Sequence, residues 1–472
     1  MLDRPAHLPR TVAQKLAAEI ALSMRTPTFT DDERHGAERV LLDSFACALG
    51  AHRSEAVEAA RRWARRLEGR PQATLYGTGE KSSILGAATV NSTMIRDLDL
   101  NDTYFSTNPT HASDSLGAVI AVAEAEGSSA EELLHAVLLA FEIQMRAAEF
   151  TETSYFRVLG WDHTHFITVA VAAAAGLLLK LSEDGLAQAL AIAGCFPVLG
   201  GLRAGQISMM KSISAGLTAS RGVEAAYLAK EGVSGPLAIF EGERGLEKNV
   251  VRRCDWELFT ASLDRWRLPL TCLKRYPAAY IIHSAIDAAI KLKTELGFRP
   301  EDVSEVTVEA FGWLVEDMVD GMGGTSRYQI DRRETADHSL PFCVAVGLLD
   351  GSYTMHQLKE SRWEGDDLKA MLAKIRCVHD RSMDARFPAE RPSRVTVTLA
   401  DGTRHSAEFP YPKGDPRLPL SDDELRAKLA SLAPTEFGAA AVERLADCAL
   451  DFRNRTVAEL TAATTIPPPI AE

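Results

Sequence analysis

A chain of 472 residues exceeds what one hydrophobic core ordinarily organises, so the sequence predicts two or three domains. Its 46% hydrophobic and 25% charged residues exclude a disordered or fibrous polymer. A formal net charge of −13, from 52 Lys+Arg against 65 Asp+Glu, argues against nucleic acid and anionic membranes as partners, because both reward a basic face.

The opening "MLDRPAHLPRTVAQKLAAEIALSMRT" lacks the uninterrupted apolar core of a secretory signal. From about residue 8 to 265 the pattern is helical and rich in Ala and Leu. Ser129 with Glu132 three residues later predicts a capping box ahead of an apolar stripe. The nearly apolar run 166–179 is too short to span a bilayer comfortably, and predicts a fully buried helix. Small residues over 213–232 predict closely packed helices, with Gly232 as the stop. Beyond Pro269 the text changes: 303–311 and 393–409 alternate with period two, and Asp401-Gly402 predicts a hairpin turn. Helix is expected ahead of them at 284–296, and again after Ser421, which forms a second capping box with Glu424, and over 435–462. The fold class is therefore mainly α with an α+β part. A helical domain (1–267) is rejoined by C-terminal helices (416–472), with a smaller α+β domain (268–415) inserted. The tail "TTIPPPIAE" is expected to fray. Seven cysteines scattered without a CxxC pair fit a reducing cytoplasm, and supply no zinc site, disulfide frame or iron–sulfur ligand set.

Several segments could carry chemistry. "RDLDLNDTYFSTNPTHASDS" (96–115) is not a calcium loop, because the sixth position is Asp102 rather than Gly and the twelfth is Asn108 rather than Glu. If 95–104 is helical, Asp99, Asp102 and Thr103 share a face, and the break at Pro109 presents His111 from a loop. Solvated capping acids and proton transfer both remain open there. In "GWDHTHFIT", His163 and His165 do not share a helix face, and a buried or hydrogen-bonded histidine is the commoner outcome. "GLRAGQISMMKS" puts Arg203 and Lys211 around a helix start, where a lysine opposes the dipole and hints at an anion. "CLKRYP" puts Lys274 and Arg275 at the suspected domain junction. "DRRETADHSLPF" offers Asp337 or Ser339 as a helix cap. No GxGxxG, P-loop, HExxH or nucleophile elbow is present.

In combination and in order, the stretches "RDLDLNDTYFSTNPTHASDS", "GWDHTHFITVAVAAAAGLLLKLS", "RAGQISMMKSISAGLTASRGVEAAYLAKEGVSGPLAIFEGERG", "LKRYPAAYIIHSAIDAA" and "DRRETADHSLPFCVAVGLLDG" resemble the MmgE/PrpD family. The resemblance implies a large helical domain with an α+β lid. It also implies a cytoplasmic homodimer with no metal or other cofactor, and an activity in propionate metabolism. The family includes dehydratases of 2-methylcitrate and citrate, cis-aconitate decarboxylase and iminodisuccinate epimerase. Carried over by motif, it implies His111, Asp99 and His163 as catalytic residues. Thr103, Lys211, Lys274 and Tyr328 become substrate-binding residues, with Arg203 or Arg275 in support. Two departures stand out. The family's usual His-Pro-Ser is His111-Ala112-Ser113 here, and Ala278 and Ala279 occupy positions often polar in relatives, against a decarboxylase with a histidine there.

These expectations share one physical problem. Proton removal beside a carboxylate adds charge to an anion, so cations must neutralise the di- or tricarboxylate while a base and an acid move protons. The first reading is a hydro-lyase, the second a decarboxylase or epimerase on the same fold, and the third a non-catalytic helical scaffold.

Overall fold

The computed structural model describes residues 9–67, 69–198, 208–322, 324–358 and 360–467. They divide into two compact units: residues 9–198, 209–271 and 421–467 form one, and 208 with 272–420 the other.

The first unit is built of helices. Those that carry the site are α1 (Ile84–Arg96), α2 (Leu116–Glu126), α3 (Ala130–Glu149), α4 (His165–Leu178) and α5 (Met210–Lys230). Between α1 and α2 lies a two-stranded ribbon, β1 (Tyr104–Phe105) against β2 (Pro109–Thr110). The Ser129/Glu132 capping box opens α3, and every residue of α4 is buried. Packing is tight enough to require glycine: a Cβ on Gly216 of α5 would sit 2.2 Å from the Thr89 carbonyl oxygen of α1. At the end of α5, Gly232 takes φ +87, and the amides of Gly232 and Val233 bond back to the carbonyls of Ala229 and Leu228.

The second unit is α+β. Helices α6 (His283–Leu296) and α7 (Leu340–Asp350) accompany a sheet of β3 (Val303–Ala310), β4 (Ile375–His379), β5 (Ser393–Leu399) and β6 (Arg404–Phe409). Strand order is β4-β3-β5-β6, parallel for β3–β4 and antiparallel elsewhere. The β5–β6 hairpin turns at Asp401-Gly402, with φ +86 at the glycine. β4 has no counterpart among the strands expected from sequence, because its five residues are too few for an alternating pattern to stand out.

The chain then returns to the first unit as α8 (Asp422–Leu432), opened by the Ser421/Glu424 capping box, and α9 (Ala439–Leu450). The helix expected over 435–462 is broken into α9, two 3-10 turns and a short helix at Val457–Ala463. The start of the tail does not fray: the Gly77 amide donates to the Thr464 carbonyl, and the Ile466 amide donates to the Gly77 carbonyl. Among the described residues no helix is long and apolar enough to cross a membrane.

Candidate active site

The stretch 96–115 is not the helix that a shared face for Asp99, Asp102 and Thr103 requires. Helix α1 ends at Arg96 with Asp97 as its C-cap, and Asp99 adopts φ +50, a left-handed turn that a short polar side chain tolerates. Residues 97–103 therefore form a loop between α1 and the ribbon. Its acids are not solvated either: Asp97, Asp99, Asp102 and Asp114 are all buried.

Burying carboxylates demands compensation, and Asp99, Asp102 and Asp114 each have their own. Asp99 sits between two cations, with Arg96 Nη1 at 2.7 Å from Oδ1 and Lys211 Nζ at 2.9 Å from Oδ2. The anion anticipated at the start of α5 is thus supplied within the protein. Asp102 is held by neutral donors: the Ser113 amide reaches Oδ1 at 3.0 Å, and the Thr271 hydroxyl reaches Oδ2 at 3.0 Å. Burial still raises its pKa, against those two bonds. Asp114 accepts from Asn101 Nδ2 at 2.8 Å and lies 3.6 Å from Arg96 Nε. Burial outweighs the arginine and pushes its pKa up to about 8, so it is mostly protonated at neutral pH. The Arg96, Asp99 and Lys211 group brings two buried cations to one carboxylate.

His111 follows β2 and precedes the 3-10 turn Ala112–Ser115 that leads into α2. Its Nδ1 lies 2.7 Å from the Asp102 carbonyl oxygen. The His163 ring approaches it edge-on, with centroids 5.3 Å apart, and His163 Nδ1 is 3.3 Å from Asp162 Oδ1. Loop 97–103 thus supplies Asp99 to the cations and the Asp102 carbonyl to His111. His165 is a core histidine: its Nδ1 lies 3.2 Å from the Phe196 carbonyl oxygen, and burial depresses its pKa to about 4. The Thr103 hydroxyl is buried and donates to the Thr110 carbonyl at 3.3 Å. Arg203 lies outside the described residues.

The α+β unit has its own cluster. Lys274 is 1% exposed, on a loop tied down by two amide bonds, Leu273 to the Gly414 carbonyl and Ala279 to the Asp337 carbonyl. Ser339, not Asp337, caps α7, accepting from the Phe342 amide, and its hydroxyl also donates to the Arg327 carbonyl at 2.6 Å. Asp337 instead bonds the ring of buried His338. Arg275 is exposed, its guanidinium 5.6 Å from the centre of the Tyr276 ring. The Tyr328 hydroxyl donates to the Ile375 carbonyl at 3.2 Å, and burial raises its pKa. Ala278 and Ala279 are buried.

The sequence did not point to Arg96, and it offered Asp337 and His338 only as part of a capping cluster. An arginine in the last turn of a helix, three residues before an acid, was the available signal for the first. The capping interpretation of "TADHS" hid the second.

Comparison with known proteins agrees with the family resemblance. The MmgE/PrpD N-terminal domain matches residues 15–258, and the C-terminal domain matches 276–453. The 2-methylcitrate dehydratase of Cupriavidus necator is 29% identical over 369 residues, covering 72% of this chain and 74% of that protein. The Escherichia coli K12 2-methylcitrate dehydratase is 28% identical over 72% of this chain and 74% of its own length. Human cis-aconitate decarboxylase is 24% identical over 90% of this chain and 88% of its own.

Proposed function

The chain belongs to the MmgE/PrpD family, and from that premise we propose that it is a hydro-lyase dehydrating 2-methylcitrate or a related hydroxy-polycarboxylate. The single observation that carries this reading is the buried group in which Lys211, Asp99 and Arg96 are joined by loop 97–103 to the His111–His163 pair. Buried cations beside the reacting carbon lower the cost of the carbanion-like charge that develops next to a carboxylate. A histidine takes the proton from carbon, and the electron pair of that C–H bond becomes the new C=C as the C–O bond breaks. The departing hydroxide leaves as water on receiving a proton from the acid.

In this reading His111 and His163 exchange protons, with Asp99 fixing Lys211. Lys211, Lys274 and Thr103 bind substrate carboxylates, with Arg203, Arg275 and Tyr328 as further candidates. The enzyme acts without a metal or organic cofactor, as a cytoplasmic homodimer in propionate metabolism. The scattered cysteines support the absence of an iron–sulfur cluster. The alanines at 278 and 279 favour dehydration over a decarboxylation that recruits a histidine there.

The test is an NMR time course of EDTA-treated protein with 2-methylcitrate, citrate, cis-aconitate and iminodisuccinate. Loss of water from one of the hydroxy acids is the expected result. Release of carbon dioxide from cis-aconitate, epimerisation, or activity abolished by chelation would each overturn the corresponding part of the proposal. Turnover of none would favour a binding scaffold.

A further inference from the structure

We infer that Asp102 is a positioning residue that locks His111 in the tautomer protonated on Nδ1, so that Nε2 is the atom that exchanges the substrate proton. The inference rests on the lyase reading only for the identity of the proton transferred.

A carbonyl oxygen can only accept, so the 2.7 Å contact between His111 Nδ1 and the Asp102 oxygen requires the hydrogen on Nδ1. In the neutral ring, Nε2 then carries the lone pair. What makes this more than a chance contact is how firmly the accepting peptide is held. The Asp102 side chain is fully buried and grips both sides of the loop pair. Its Oδ1 takes the amide of Ser113, two residues past His111, and its Oδ2 takes the hydroxyl of Thr271. One residue earlier, Asn101 Nδ2 donates to Ser113 Oγ and Asp114 Oδ1, both at 2.8 Å. One earlier still, the Leu100 carbonyl accepts from Lys428 Nζ at 2.8 Å. Three successive residues of loop 97–103 are therefore anchored, and the segment carrying His111 is stitched to two of them.

The consequence is chemical. When Nε2 accepts a proton from substrate carbon, the ring becomes imidazolium while Nδ1–H stays on the carbonyl. That bond becomes charge-assisted and strengthens, which favours the protonated state and makes the ring a better base. The C–H bond breaks, the N–H bond forms, and the electron pair remains with the substrate until the C–O bond breaks. His111 returns its proton to solvent after product leaves.

The deciding experiment is two-bond 15N–1H correlation NMR of protein labelled with 15N-histidine, with His111 assigned by its loss in His111→Gln. The wild type should show Nδ1–H and a pyridine-like Nε2 at His111. Asp102→Ala keeps the carbonyl but removes both side-chain anchors that hold it, and should give a mixture of tautomers, with kcat reduced by about tenfold or more. KM should change little, and Asp102→Asn, whose amide oxygen still accepts from Ser113, should recover most of the activity. If Asp102→Ala does not fold, Thr271→Val removes one anchor and should show a smaller shift of the same kind. A wild-type His111 protonated on Nε2 would overturn the inference. So would both variants keeping the wild-type tautomer and pH–rate profile. Because the NMR readout needs no substrate, the locked tautomer stands even if none of the four acids is turned over.

Discussion

Two regions of the molecule hold dense networks of charge, and they treat it in opposite ways. In the helical unit, Arg96, Asp99 and Lys211 meet with side chains at most 5% exposed. On the sheet of the α+β unit, Arg394 reaches Glu408 at 2.8 Å and Glu309 at 3.2 Å, while Arg386 reaches Glu390 and Glu408, all with partly exposed side chains. The distances are similar, but the dielectric surroundings are not. A buried charge costs several kcal/mol to desolvate, and a fold retains it where something is gained, whereas a wet ion pair is nearly neutral in energy. The contrast separates a buried network, which the proposed function uses, from one at the surface.

Removing one partner from each network tests this contrast. Lys211→Met removes a buried cation from Asp99 and should cost about 3–5 kcal/mol of stability, read from urea midpoints. An anionic ligand that binds there should also lose affinity. Asp114→Asn probes the pH side of the same cluster. The folded-state pKa of Asp114 is raised, to about 8, so between pH 4 and 8 the native state binds the extra proton. Its stabilising contribution is full below pH 4 and is lost as pH rises through 8, with a slope of at most about 1.4 kcal/mol per pH unit. Denaturation at a series of pH values should show that slope in the wild type, and a flatter curve in the variant.

Ser339→Ala removes the cap of α7 and the bond to the Arg327 carbonyl, and should cost about 1 kcal/mol. Arg394→Ala should cost the least, about 0.2–1 kcal/mol, and the loss should shrink further in high salt. A large effect at Arg394, or a negligible one at Lys211, would erase the distinction between the networks.

What the sequence revealed follows the range of the interactions involved. Capping boxes at Ser129 and Ser421, the Asp401-Gly402 hairpin and the apolar helix α4 depend on neighbours within a few residues, and they were legible. The Asp99 turn was not, because one left-handed residue converts an apparent helical face into a loop, and nothing local demands it. The pairing of Lys211 with Asp99 spans 112 positions, and that of Thr271 with Asp102 spans 169. Sequence could nominate Lys211, Asp99 and His111 through family resemblance, but not the bonds between them. The option of solvated acids in this stretch fails at Asp102 and Asp114, since burial is a tertiary property that no spacing encodes.

The most direct measurement follows 2-methylcitrate by 1H NMR with wild-type protein and with His111→Ala, each checked for folding by circular dichroism. The wild type should release water and form an unsaturated tricarboxylate. The variant should be slower by about a hundredfold to ten-thousandfold in kcat, the contribution of a positioned acid or base. A folded His111→Ala protein that dehydrates the substrate at the wild-type rate would contradict the role assigned to that histidine.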